Sequence, residues 1–432
     1  MLKTVAFATL GCKVNQYETQ ALSEQFERLG YAIVSFEEKA DVYVINTCTV
    51  THIGDRKSRQ VIRRARRANP EALVVVTGCY AQVAPDEIAG IGDVDLIVGT
   101  RGRERLAEFV DRTLERGKTV KCIAGLDEAP AFEELPISRT QGRARAYIKV
   151  QEGCRDFCTY CIVPYARGPL RSRPSAAVIE EAERLVRNGY VELVLTGTHL
   201  GAYGLDLPDA PKLAELVTSL SRVPGLLRLR LSSIEPLDIS PALVEAIASS
   251  PVACPHLHIP LQSGSNHILH RMGRRYSTRE FALLVNHIRS KIPEVGITTD
   301  VMVGFPGESD AHFRESLDFV RRMDFSGLHV FKFSPRKGTP AAAYPDQVPA
   351  KVKESRSKAM LELGEFLKDR FACRYVGKTV SVLAEEHRDG VLEGYTGNYL
   401  RVRFRGSPDA LGRLEQVSVK SVIDGVLLGD NL

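Results

Sequence analysis

Three cysteines, Cys154, Cys158 and Cys161, fall within eight residues of the stretch Gly153-Cys154-Arg155-Asp156-Phe157-Cys158-Thr159-Tyr160-Cys161. Thiolates at this spacing converge on iron or zinc, and a closed structural zinc site takes four ligands. Iron–sulfur clusters are also usually held by four cysteines, so a set of three leaves one metal position open. An open iron binds a small molecule, which turns an electron carrier into a catalyst. The alternative is a chance grouping of thiols, but three of only nine cysteines in 432 residues lie here. A β-type run, residues 146–150, leads directly into the loop.

Three other cysteines are far apart in sequence yet equivalently placed: Cys12 in Leu-Gly-Cys, Cys48 in Asn-Thr-Cys and Cys79 in Thr-Gly-Cys. Each follows a strand-like run by two or three residues. In open parallel sheets, ligands sit in the crevice beyond the carboxyl ends of the strands. The topology therefore brings these thiols together as a second three-cysteine site. For any one of them, a small buried hydrophobe is the plainer reading; the repeated placement outweighs it. Cys122, Cys254 and Cys373 lack such company and are expected to be structural.

The elements that must position these residues fall into three units, 1–125, 140–368 and 371–432. In the first, strand-like runs at 4–9, 32–36, 42–46, 73–77 and 96–98 alternate with helical patterns at 17–29, 56–68 and 104–116. That alternation predicts an α/β fold with an open parallel sheet covered on both faces. The polar stretch 127–136 reads as a linker, followed by Arg139, Arg143 and Arg145. Six strand-like runs then alternate with helices, at 146–150, 193–196, 227–232, 256–261, 296–303 and 327–333. They are too few for an eight-stranded barrel, so a partial (βα)6 barrel is expected, with its site at the carboxyl strand ends. Gly197-Thr198-His199, Ser232-Ser233-Ile234-Glu235, Gln262-Ser263-Gly264 and Gly304-Phe305-Pro306-Gly307-Glu308 occupy those ends. His256 and His258 alternate on one strand face; interior hydrogen bonding is favoured over a His-x-His metal pair. A helix over 352–371 leads to short runs at 376–383, 391–395, 399–404 and 416–424, which predict a small antiparallel barrel.

Composition is that of an ordinary globular chain, 44% apolar and 26% charged. No apolar run reaches the ~18 residues of a membrane span, and the first residues carry no signal-peptide pattern. The odd cysteine number argues for reduced thiols in the cytoplasm instead of a disulfide framework. A net charge of +5 permits a nucleic-acid partner without demanding one. Residues 56–67 hold seven basic residues in twelve, a density that suits phosphate contacts; a solvated helix face is the plain alternative. Arg401, Arg403 and Arg405 alternate and would share one strand face, in a tail whose net charge is zero.

The Cys154–Cys161 segment, with Tyr160 before its last cysteine, resembles the signature of the radical S-adenosylmethionine (SAM) enzymes. Gly11-Cys12-Lys13-Val14-Asn15-Gln16-Tyr17-Glu18 resembles the opening motif of the methylthiotransferases, most closely the branch acting on threonylcarbamoyladenosine in tRNA. His258-Ile259-Pro260-Leu261-Gln262-Ser263-Gly264 and Arg271-Met272-Gly273-Arg274-Arg275-Tyr276 are similar to motifs of the same family, so the resemblance spans the chain. It implies a Rossmann- or flavodoxin-like first domain, a radical-SAM partial barrel and a terminal TRAM barrel. It also implies two [4Fe-4S] clusters, on Cys12/Cys48/Cys79 and on Cys154/Cys158/Cys161, with SAM as radical source and methyl donor. Tyr160, Thr198, Ser232, Gln262 and Gly304 are the expected SAM contacts, although the loop after the second barrel strand lacks the family's usual Gly-Gly-Glu form. The product would be a 2-methylthio group on N6-threonylcarbamoyladenosine 37 of tRNA, with Arg63, Arg66, Arg401 and Arg403 as candidate RNA contacts. The competing readings are isopentenyladenosine tRNA or a ribosomal-protein aspartate as substrate, and a non-catalytic iron–sulfur RNA-binding protein. The sulfur donor, the electron donor and the oligomeric state are not legible in the residues.

Overall fold

A computed structural model describes residues 3–114, 119–126, 131–139, 142 and 144–432. Arg116, Arg143 and the linker residues 127–130 lie outside the described residues. The first sheet runs β2 (Ala32–Val34), β1 (Thr4–Thr9), β3 (Val42–Thr47), β4 (Leu73–Gly78), β5 (Leu96–Val98) and β6 (Val120–Cys122), all parallel. β3 and β4 are buried at every position, as strands covered on both faces must be. Strand order turns back between β1 and β3, the place where such sheets open a crevice. β6 carries Cys122 and is an addition to the sequence expectation; three residues are too short to show a period. The covering helices begin earlier than their apolar stripes suggest, at Lys13–Arg28 and His52–Ala68. The Thr51 hydroxyl accepts from Gly54 N and caps the second of these.

The middle unit is an open barrel of six parallel strands, β7 (Ala146–Glu152), β9 (Glu192–Gly197), β10 (Arg228–Leu231), β11 (His256–His258), β12 (Gly296–Val303) and β13 (Gly327–Lys332). A two-residue antiparallel strand, β8 (Arg171–Ser172), edges β7, and a Leu229–Ala253 bridge joins its two sheet segments. Along β12, Thr299, Val301 and Val303 are buried against the helices while Thr298, Asp300 and Met302 are only partly covered, facing the lumen.

The last unit is a closed five-stranded barrel, ordered β14 (Thr379–Arg388), β15 (Val391–Thr396), β16 (Arg401–Arg405), β18 (Val426–Asn431) and β17 (Leu414–Ile423). Its fifth strand, β18, was not expected, because Gly429-Asp430-Asn431 breaks the alternation. The barrel caps the amino-terminal ends of the middle strands. Arg228 donates to Ser381 O at 2.6 Å and Tyr395 O at 2.9 Å, and Arg230 to Gly397 O at 2.8 Å. Tyr399, at φ 71°, stacks on His256 (4.8 Å) and Tyr395 (5.1 Å), with the Arg230 guanidinium 4.5 Å from its ring. A left-handed backbone at a bulky residue costs about 1–3 kcal/mol and persists only where surrounding contacts hold it.

Candidate active site between the two cysteine sets

Cys12, Cys48 and Cys79 stand just beyond β1, β3 and β4, at the crevice. Each lies in the electrostatic field of the others, so the topology does gather them. Gly11 makes this possible: at φ 102°, a β-carbon there would come within 2.8 Å of Cys48 Cβ. Asn15 clamps the turn, donating to Leu10 O (2.8 Å) and Thr47 O (3.0 Å).

The second set sits on the loop after β7. Gly153, at φ 81°, leaves only 1.8 Å between a would-be β-carbon and Pro169 O, so this turn admits glycine alone. Cys154 Sγ lies 3.5 Å from His199 Nδ1, whose Nε2 is 2.6 Å from Asp238. Burial opposes protonation of His199, but bonding to Asp238 and Cys154 raises it to about 11. Cys158 Sγ accepts from Arg274 Nη1 at 3.4 Å, and Arg274 also pairs with Glu235. Burial first, then neighbouring thiols, push Cys48 and Cys161 up to about 12. Ligation therefore displaces protons from these thiols. Each set offers three soft donors in one place, which fits a four-iron cluster with one iron left open.

Arg167 reaches from the segment after the second set to a thiol of the first. It ends the short helix that follows Cys161, and it donates to Cys79 Sγ (3.2 Å) and Asn15 Oδ1 (2.7 Å). It also pairs with Glu18 and with Glu152 (2.7 Å). Lys149 and Arg103 extend the buried array, at 3.1 Å and 2.6 Å from Glu18, and Arg171 reaches Glu152 at 3.2 Å. Burial opposes ionisation of Glu18, yet Arg103, Arg167 and Lys149 hold its carboxyl well below the usual range.

Of the expected SAM contacts, Ser232 has a buried hydroxyl with no partner among the described residues, a polar atom left for a ligand. Gln262 takes φ 64°, its backbone bonded to Asp300 O and Met302 N at 2.8 Å each. Tyr160 packs edge-on to Phe305, centroids 6.4 Å apart. After β9, His199 reaches the cysteine loop, and Thr198 beside it places its backbone N–H on Gln151 O. The Gly304 N–H is also spent, on Glu308 Oε2 at 2.7 Å. His256 and His258 both bond the Thr298 hydroxyl, at 3.1 and 2.9 Å, and His258 and His329 flank Asp300 in the lumen. Lys13, partly buried at the start of its helix, is lowered to about 8 by burial and then by Arg145 and Arg230.

The RNA candidates divide. Arg66 is engaged within its own unit, where it bonds Pro70 O, Ala72 O and Asp95, all at 2.6–2.8 Å. Arg63 is exposed and lines a groove of about 530 Å³ with Lys57, Gln60, Arg64 and Arg67. Arg401 and Arg403 share a face of β16 as expected, but both are held by Glu393, so the stripe carries less free charge than its spelling implies. Arg167, Arg274 and Asn15 were missed as site residues. Asn15 and Arg274 lie inside the quoted motifs; Arg167 had no signal.

Residues 4–99 match the Uncharacterized protein family UPF0004, and residues 148–320 match the Radical SAM superfamily. The chain is 45% identical to a Bacillus subtilis protein named threonylcarbamoyladenosine tRNA methylthiotransferase MtaB, over 97% of this chain and 94% of that one. It belongs to the radical-SAM tRNA methylthiotransferase family. This methylthiotransferase is also 40% identical to the Thermotoga maritima protein of the same name, over 98% of this chain and 95% of the other. A tRNA-2-methylthio-N(6)-dimethylallyladenosine synthase from Pelotomaculum thermopropionicum shares 38%, over 97% and 95%. In fold, the chain resembles the radical SAM methyltransferase TsrM from Kitasatospora setae, at a TM-score of 0.58 and 14% identity over 88% of this chain and 96% of that one. The closed terminal barrel is consistent with a TRAM domain, and the enzyme is a transferase. No described helix is long and apolar enough to cross a membrane.

Proposed function

We propose that this enzyme transfers a methylthio group to C2 of N6-threonylcarbamoyladenosine 37 in tRNA, in the cytoplasm, with SAM as both methyl donor and radical source. The observation that supports it most is the second three-thiol set, Cys12/Cys48/Cys79, braced at Cys79 by Arg167 from the helix that follows Cys161, in a chain 45% and 40% identical to two proteins named for that activity. Bound at Cys154/Cys158/Cys161 and Cys12/Cys48/Cys79, two [4Fe-4S] clusters supply a 5′-deoxyadenosyl radical from SAM and a sulfur for transfer. The chain's own residues do the rest. Ser232, Gln262 and Tyr160 border the place for SAM. His199 and Arg274 neutralise charge at Cys154 and Cys158, and the lumen below gives a single-stranded base room to enter.

The test is nucleoside mass spectrometry of tRNA from a strain deleted for this gene and lacking any redundant enzyme. Loss of 2-methylthio-threonylcarbamoyladenosine, restored by the intact gene, is expected. An unchanged nucleoside would sink the assignment, and loss of the dimethylallyl product instead would redirect it.

For RNA binding, the basic face of His52–Ala68 is the stronger candidate. Arg56, Lys57, Arg63 and Arg67 are exposed there, without an ion-pair partner among the described residues. Arg63→Ala with Arg67→Ala is expected to weaken tRNA binding and to flatten the slope of log affinity against log salt by about 2, one unit per lost phosphate contact. An unchanged slope in a filter-binding titration would remove this face from the RNA path.

A further inference from the structure

The floor of the lumen holds more positive charge than its carboxylates balance. Arg145, Arg228 and Arg230 converge on Glu192, at 3.5, 3.4 and 2.7 Å, and Arg145 reaches Glu385 at 3.0 Å. The arginines are committed: Arg228 and Arg230 spend their remaining donors on carbonyls of the terminal barrel, and Arg145 lies 5.3 Å from the rings of Tyr395 and Tyr399. Lys13 is not. Its ammonium shares the field of Arg145, Arg230, Glu192 and the neighbouring Cys12 thiol, which is committed to the cysteine set, yet it makes no hydrogen bond or ion pair to any described residue. Four cations thus face two carboxylates in this region. Cys254 and His256, the other titratable groups beside Arg230, add no anion, since burial holds both neutral. A partly buried ammonium without a partner is costly, and an incoming anion removes that cost.

We propose that Lys13 pairs with the carboxylate of the threonyl group on the substrate adenosine, and so selects an acid-bearing N6 substituent over an apolar one. This rests on the threonylcarbamoyladenosine reading above. The geometry suits the chemistry of the base. Lys13 follows Cys12 directly, so one turn carries a thiol of the cysteine set and a cation within the field of Arg145, Arg230 and Glu192 at the floor. On the purine, C2 and the N6 substituent lie on different edges of the six-membered ring. C2 can face the cysteines while the substituent points toward the floor. A dimethylallyl group offers no charge, and burying it against an unpaired ammonium is unfavourable.

The test pairs a change in the protein with the matching change in the RNA. Anticodon stem-loops carrying threonylcarbamoyladenosine, or the same nucleoside with its carboxylate converted to an amide, are bound to anaerobically reconstituted enzyme without SAM. The same RNAs are then turned over to give kcat/KM. Wild type is expected to lose roughly 10- to 100-fold on the amide, the range for one hydrogen bond to a charged group. Lys13→Gln is expected to lose as much on the acid and nothing further on the amide, and Lys13→Arg to recover most of the loss. Equal wild-type affinity for acid and amide, or additive losses in Lys13→Gln, overturns the proposal. If Lys13→Gln sheds iron, the wild-type ratio together with Lys13→Arg decides in the same way. Wild type that modifies a dimethylallyladenosine stem-loop but neither of these RNAs overturns the substrate reading itself, a different failure from loss of discrimination.

Discussion

Cys154→Ala is expected to cut the iron content of reconstituted enzyme from about eight to about four per chain, with no 5′-deoxyadenosine formed under reduction. Cys12→Ala is expected to show the same halving with a different consequence: 5′-deoxyadenosine still appears, but no methylthio nucleoside. The reasoning is local. Cys154 meets His199 and Asp238, each from a different loop at one end of the barrel, while Cys12 belongs to the crevice of the first sheet, and neither set borrows a thiol from the other. Each site should therefore empty alone. Cys373→Ala supplies the control, since that thiol is exposed at the end of its helix and should leave iron unchanged. Iron and acid-labile sulfide assays beside product chromatography read both parts. Full iron in either variant would refute the assignment of that cysteine.

Arg167→Ala removes one guanidinium from a buried array and leaves Glu18 and Glu152 to Lys149, Arg103 and Arg171. Breaking a buried ion pair by deleting one member costs about 3–5 kcal/mol. With three units in the chain unfolding is not two-state, so the effect is read as a lowered midpoint of the transition. The thiol set should respond as well. Cys79 loses its donor and Asn15 its anchor, so iron at Cys12/Cys48/Cys79 is expected to fall while SAM cleavage persists. Glu18→Gln serves as comparison, disturbing the array without touching Cys79; a midpoint loss with full iron is expected there. If both variants keep all their iron, Arg167 acts as a strut alone.

Much of this arrangement was legible in the residues because it depends on local pattern. Apolar runs such as 73–78 are strands buried on both faces, and the gathering of the cysteines that follow three of them comes from parallel topology. What was not legible depends on pairing across the chain. Arg66 and Arg63 are three apart on one helix and indistinguishable in spelling, yet only Arg66 reaches Asp95 and the carbonyls beside it. Arg167 and Glu18 are 149 positions apart, so no window of sequence contains both. Thr198 and His199 are neighbours whose roles separate only once Asp238, on another loop, is in place. The two-residue β8 and the Gly-broken β18 fall below the length at which any period can be read.

Tyr399 closes the base of the lumen, pressed between His256 and Arg230, although it belongs to a unit synthesised after the barrel strands. While a ribosome is still making residues 374–399, the six barrel strands are already outside but the chamber they enclose has no bottom. A truncated product would keep all six cysteines in the two sets and yet hold a chamber open to water at its base. Folding of the third unit and sealing of the chamber are therefore one event, and a copy terminated before that unit carries its cysteines without a closed space in which to use them.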